Sequence, residues 1–238
     1  MPPFWAGDVH RLVCVAVSTV ELMTDTNQSS PPALRIAVLG TGNVARALGT
    51  RWAIRGHAIT VGARSIASAR SLAEEIGRGA VASPLRPAVD GADVVLLAVP
   101  WRAIDDVLVH LNAQDGALSG VTVIYPTNPV EHGVGRHQLE VGSIAEHIAS
   151  RASGAHVVKA FNVHPATYWE QATPHDVVTL AGNDPSALEV VRALVRDVGA
   201  TPHTFGGLDR ARQIEELGAT VIALAFGGVD PRSAVPGS

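Results

Sequence analysis

One short segment constrains this chain more than any other: Gly40-Thr-Gly42-Asn-Val-Ala45, set between an apolar run and a stretch of helical spacing. Leu34-Arg-Ile-Ala-Val-Leu39 reads as a short, mainly apolar strand. From Asn43 to Arg55 the residues Val44, Ala47, Leu48, Trp52 and Ile54 supply one apolar helix face, and Gly56 ends it. Each small residue between strand and helix has a task. Gly40 permits the tight turn, Gly42 lets an anion approach the backbone, and Ala45 lets the helix pack close to the sheet. The free N–H groups and the dipole at such a helix start favour a pyrophosphate.

The rest of the chain repeats the alternation. His57–Gly62 predicts a second strand, and Ser65 caps a helix running to Ile76. Ala80–Ala82 is a brief strand. Asp93–Val99 is continuously apolar, as a parallel strand covered on both faces must be. Trp101–Leu111 predicts a helix, Val121–Tyr125 a strand, Ser143 to about Ser150 a capped helix, and His156–Ala160 a strand. Val177–Ala181, Pro185–Val198 and Thr201–Phe205 continue as strand, helix and strand, before a last helix from about Leu208 to Phe226. Alternating β and α elements imply an α/β, Rossmann-like, doubly wound parallel sheet with a C-terminal helix. Residues 33–226 form that domain. Residues 1–32 are expected to be a disordered extension, with Met23 a candidate start, and residues 227–238 a flexible tail.

The cofactor preference is argued from an absence. A site for NAD places an Asp or Glu about 20 residues after the glycine turn, to bind the ribose hydroxyls. From Ala33 to Ala73 this chain has no acid, and the second strand ends in Gly62-Ala-Arg64-Ser65. Arg64 offers a permanently charged planar fork that suits a 2′-phosphate, and Ser65 adds a hydroxyl. NADP(H) is the expected cofactor. In a doubly wound sheet, ligands bind outside the carboxyl ends of strands. Ala98-Val99-Pro100-Trp101 would therefore lie beside the adenosine-side ribose or pyrophosphate, and Tyr125-Pro-Thr127-Asn128-Pro129 nearer the nicotinamide.

Composition adds limits. Ala33–Arg86 holds eight Arg against two acids, which suits a polyanionic small ligand, while the whole chain carries a net charge of −4 and gives no case for nucleic acid. Cys14 is the sole cysteine, so no intrachain disulfide can form, in keeping with a reducing cytoplasm. The apolar run Leu12–Val17 is too short to span a membrane. His132 and His137 sit in a Gly-rich loop with poor metal geometry; they read as solvent-facing, and no metal is expected. Lys159, the only lysine, reads as a consequence of genome composition.

Five segments resemble the NADPH-dependent deazaflavin (coenzyme F420) reductase family, the coenzyme F420-dependent NADP oxidoreductases. They are Ile36–Asn43, Val61–Ser65, Ala92–Trp101, Thr127–Pro129 and Val158–Asn162. The resemblance implies hydride transfer between NADP(H) and a deazaflavin or similar small-molecule acceptor. It also implies that Thr41, Gly42, Asn43 and Val44, with Ala63 and Arg64, hold the cofactor. Ala63 stands where relatives often carry Ser. Hydride transfer needs two ring carbons held face to face and no nucleophile. Asn162 is a candidate to hydrogen-bond the carboxamide or the acceptor ring, and His164 to donate to a developing charge. A flavin, ferric chelate, imine or carbonyl acceptor remains open, as does a non-catalytic NADP-binding redox sensor. The apolar residues of the last helix, Ile214, Leu217, Val221, Ile222, Leu224 and Phe226, suit a homodimer interface, an acceptor pocket or core packing alike.

Overall fold

The apolar runs line up into one eight-stranded sheet. The computed structural model describes residues 33–131, 133–171 and 176–234. The strands are β1 (Arg35–Leu39), β2 (Ala58–Ala63), β3 (Val81–Pro84), β4 (Val94–Leu97), β5 (Thr122–Tyr125), β6 (His156–Lys159), β7 (Val177–Gly182) and β8 (Thr201–Gly206). The connecting helices are α1 (Asn43–Ile54), α2 (Ile66–Ile76), α3 (Leu85–Ala88), α4 (Ile104–Leu111), α5 (Ile144–Arg151), α6 (Ala166–Trp169), α7 (Pro185–Asp197) and α8 (Ala211–Phe226). The expectations for residues 1–32, Cys14 and Met23 among them, and for His132 lie outside the described residues.

Strand order across the sheet is β3-β2-β1-β4-β5-β6-β7-β8. The chain winds outward from β1 through β2 to β3, then returns to the other side of β1 with β4. That reversal opens a crevice at the carboxyl ends of β1 and β4, where ligands of such sheets bind. β4 shows why its sequence is uninterruptedly apolar. Val94 and Leu96 enter one core with α1, α2 and α7, whereas Val95 and Leu97 enter a second with α4, α5 and α8. Burying each such side chain contributes ~1.5–3 kcal/mol.

Two expectations need correction. The sheet is parallel except between β6 and β7, which pair antiparallel. Among the described residues of the connection from Lys159 to Val177, the one helix is the four-residue α6. A parallel neighbour needs a crossover, usually a full helix, that carries the chain back to the starting end of the sheet. The 13-residue α7 provides that return between β7 and β8, which are parallel. In α1, Trp52 is buried and its indole N–H donates to the Leu194 carbonyl of α7 at 3.1 Å, but Ile54 is 48% exposed. The helices α3 and α6 had no counterpart in the sequence reading, and the predicted helices at Trp101 and Leu208 each open with a 3-10 turn.

Candidate functional site

The glycine turn packs hard against the neighbouring strand end. Gly40 has φ of +115°, its N–H donates to the Gly62 carbonyl at 3.0 Å, and a Cβ there would lie 2.2 Å from the Ala98 carbonyl oxygen. Gly42, the N-cap of α1, faces open space: a Cβ would meet nothing within 4 Å. No side chain caps α1 and its first turn carries no acid. Its leading N–H groups are thus available to an anion in a volume that the backbone leaves open. Ala45 is fully buried, as close helix–sheet packing requires.

These elements wall a cleft of about 430 Å³. It brings together Gly40, Thr41, Gly42, Ala63, Arg64, Ser65, Ala98, Val99 and Pro100 of the residues foreseen, and adds Ser68, Leu85, Ala103 and Val107. Ser65 caps α2, its hydroxyl oxygen accepting from the Ser68 N–H at 3.2 Å. Arg64 is exposed at the rim and makes no ion pair among the described residues, whereas Arg46 is held by Glu75 at 3.4 Å and Glu170 at 2.8 Å. A free guanidinium beside a helix start is the donor set a 2′-phosphate requires. Ser68 was legible in principle: it lies three residues beyond the Ser65 cap, on the same helix face. Leu85 was not, because it comes from the unforeseen α3. Asn43 lies in an adjoining polar cleft with Arg46 and Ser71.

Pro100 also borders a second cavity, of about 510 Å³, with Val44, Trp101, Thr127, Asn128, Phe161, Asn162, His164 and Ile222 on its walls. Here Asn128 and Asn162 clasp each other. The Asn128 amide donates to the Asn162 carbonyl and the Asn162 amide to the Asn128 side-chain oxygen, both at 2.8 Å, and Asn162 Nδ2 also donates to the Ile214 carbonyl at 2.9 Å. Two acceptors on Nδ2 fix the amide's orientation. The Asn162 nitrogen is therefore committed to the protein, and Oδ1 is buried without a partner. Phe161, just before it, has φ of +62°. A bulky residue in that region costs about 1–3 kcal/mol and marks a built site. Its ring meets Trp52 and Trp169 edge-on, with centroids 5.8 and 5.3 Å away. His164 stacks on Tyr168 at 4.5 Å, with Nε2 3.4 Å from the Val177 carbonyl.

Sequence reasoning missed the group beneath this cavity. Lys159 and Glu215 are both fully buried, with Nζ 3.4 Å from Oε1. His137, expected to face solvent, instead turns a side chain only 8% exposed inward, with Nε2 3.2 Å from Glu215 Oε2, because the loop folds back onto α8. Burial lowers the Lys159 pKa to about 8 against the opposing pull of Glu215, and burial raises the Tyr125 phenol above its usual range. α8 divides its apolar residues: Ile214 is buried in the core, Ile222 borders the second cavity, and Leu217 and Phe226 are exposed.

A switch-point cleft beside a glycine turn, sharing Pro100 with a second cavity at the next strand ends, defines a protein of the Rossmann-like, dinucleotide-binding class. The chain belongs to the family of coenzyme F420-dependent NADP oxidoreductases, whose family model matches residues 35–129. It is 31% identical to the F420-dependent NADP reductase of Methanothermobacter thermautotrophicus over 209 residues, covering 80% of this chain and 89% of the relative. It is 32% identical over 187 residues to metalloreductase STEAP3 of Rattus norvegicus, covering 77% of this chain but 36% of that protein. The chain thus spans about a third of that relative's length. Among solved structures, a protein of Arthrobacter described as an F420-dependent NADP reductase superposes with a TM-score of 0.70 at 24% identity, over 84% of this chain and 97% of that one. A reductive aminase from Aspergillus terreus in complex with NADPH has a TM-score of 0.61 at 18% identity, over 83% and 63%. Both likenesses speak to the fold. Among the described residues, no helix is long and apolar enough to cross a membrane.

Proposed function

We propose that this chain transfers a hydride between NADP(H) and a deazaflavin-like acceptor of the coenzyme F420 type. The observation that carries the reading is the meeting of two cavities at Pro100, one bordered by bare backbone and a free Arg64, the other by aromatic and amide side chains. Bound NADPH supplies the hydride. The open space at Gly42, the uncapped start of α1 and the unpaired Arg64 fit that cofactor, whose pyrophosphate and 2′-phosphate they would hold. Thr41 and Ser65 offer hydroxyls at the same rim.

On the acceptor side the chain's contribution is orientation. Val44, Pro100 and Ile222 give apolar walls that exclude water from a planar ring, and the clasp of Asn128 and Asn162 holds the polar side of the cavity in place. No side chain need form a covalent bond, and proximity alone accounts for much of such a rate. The kinship to a metalloreductase favours a second reading, with a flavin or ferric chelate as acceptor. Stopped-flow NADPH oxidation with deazaflavin, flavin and ferric acceptors side by side separates them. The expected result is fastest turnover with the deazaflavin. Faster ferric or flavin reduction would transfer the assignment to the second reading, and tight NADPH binding without oxidation by any acceptor would leave a redox sensor.

A further inference from the structure

Lys159 is the only lysine in the chain, and it stands at the end of β6, fully buried. Its ammonium lies 4.3 Å over the Tyr125 ring and donates to the Thr127 carbonyl. Glu215 of α8 faces it at 3.4 Å and accepts from the Ile144 N–H at 3.3 Å. Removing two charges from water costs several kcal/mol per ion, and apolar replacements of buried pairs are often neutral or stabilising. Stability alone therefore gives little reason for the pair. Its geometric product is a fixed Thr127 carbonyl. From there the Thr127 hydroxyl donates to the Val99 carbonyl at 3.1 Å, and Asn128 clasps Asn162. The fit on the α8 side is close: a Cβ at Gly218 would come within 2.4 Å of the Asn128 amide nitrogen.

We infer that Lys159, held by Glu215, is a positioning residue for the acceptor cavity: it fixes the Thr127–Asn128 wall, which meets the nucleotide cleft only through the Thr127 bond to Val99, away from Arg64 and the glycine turn. The inference rests on the proposed hydride transfer at that cavity. A merely structural ion pair would be replaceable by any neutral pair that restores stability. A positioning residue would not, because the Thr127 carbonyl would still lack its donor.

The test pairs Lys159→Met, which leaves the buried Glu215 with only His137 and the Ile144 N–H as partners and is expected to destabilise, with Lys159→Met/Glu215→Gln, which removes both charges and leaves an acceptor for the Ile144 N–H. Three measurements are made on the double variant. Its melting temperature should recover towards wild type, and its affinity for 2′,5′-ADP, a probe lacking the nicotinamide, should match wild type. Amide exchange in the segment 126–138 should quicken several-fold while that of 39–65 stays unchanged. Single-turnover NADPH oxidation with the best acceptor of the wild-type panel should fall by about tenfold to a hundredfold, the size expected of a misplaced wall. Unchanged exchange in 126–138, or a hydride rate that recovers together with stability, overturns the inference. If the wild-type chain oxidises NADPH with no acceptor, the functional proposal falls, and the exchange measurement alone decides whether Lys159 fixes the wall.

Discussion

The nucleotide cleft and the acceptor-side cavity share Pro100 but are made of different material. The first is backbone: a left-handed glycine, an uncapped helix start, and one unpaired arginine at the rim. The second is a web of side chains drawn from β6, α8 and the loop after β5, with an amide clasp, a strained Phe161 and a buried charge pair. A backbone site tolerates almost no change where main chains touch, yet depends on few side chains. A side-chain site distributes its geometry over many groups, so single losses are partly absorbed. Under the proposed function the difference suits two tasks: the cofactor half would meet the same phosphates in every turnover, and the acceptor half would set which ring is admitted.

The sharpest way to break the comparison uses the two glycines of the turn. Gly40→Ala forces a Cβ against the Ala98 carbonyl at 2.2 Å in a positive-φ conformation, and should cost roughly 3–5 kcal/mol in denaturant unfolding. Gly42→Ala meets nothing within 4 Å. It should leave stability within about 0.5 kcal/mol of wild type while weakening NADPH binding about tenfold or more, because the added methyl occupies the approach to the helix start. Equal stability losses in the two variants would contradict the view that Gly42 serves a ligand and Gly40 the fold.

Next in size is Arg64→Ala. The guanidinium is exposed and has no ion pair among the described residues, so the folded protein should lose nothing measurable in melting temperature. NADPH should bind about 10- to 100-fold more weakly, as the loss of a charge-assisted phosphate contact of about 1.5–3 kcal/mol requires, while NADH binding stays within about twofold. Parallel losses for both nucleotides would remove Arg64 from the 2′-phosphate site.

The same contrast explains what was legible beforehand. The nucleotide cleft lies mostly within residues 40–68, and its chemistry is local: turn glycines, a helix start, a cap and an absence of acids can each be read in a short window. On the acceptor side the strand-end residues Thr127, Asn128, Asn162 and His164 were foreseen and do line the second cavity, whereas the support from His137, Lys159 and Glu215 comes from segments far apart in sequence that no periodicity connects. One signal was present and misread. A lysine inside Val157-Val-Lys159-Ala-Phe161 interrupts a buried strand, and a buried cation requires a partner. Composition explains why lysine is rare in the chain, but not why the single one sits there. The antiparallel β7 was missed for another reason: the alternation of strands and helices elsewhere implies parallel neighbours, whereas the described part of the β6–β7 connection holds only the short α6.

The smallest expected effect tests the buried pair directly. Burial lowers the Lys159 pKa to about 8, against a usual value of 10.5. Below pH 8 the folded and unfolded chains both hold the proton, and the cost of burying the charge is fully present. Between pH 8 and 10.5 the unfolded chain retains the proton that the folded chain has released, so stability from this group rises with pH, by at most about 1.4 kcal/mol per unit. Tyr125 acts with the opposite sign above about pH 10, since its phenol is held protonated by burial in the fold while the unfolded chain ionises. Melting temperatures from pH 7 to 9.5 stay below the tyrosine range, no other lysine exists to mimic Lys159, and any contribution of Cys14 cancels in the difference from Lys159→Met. Relative to Lys159→Met, wild type should gain a few degrees across that range. Parallel profiles would mean that the ammonium is not desolvated as its full burial between β6 and Glu215 of α8 requires.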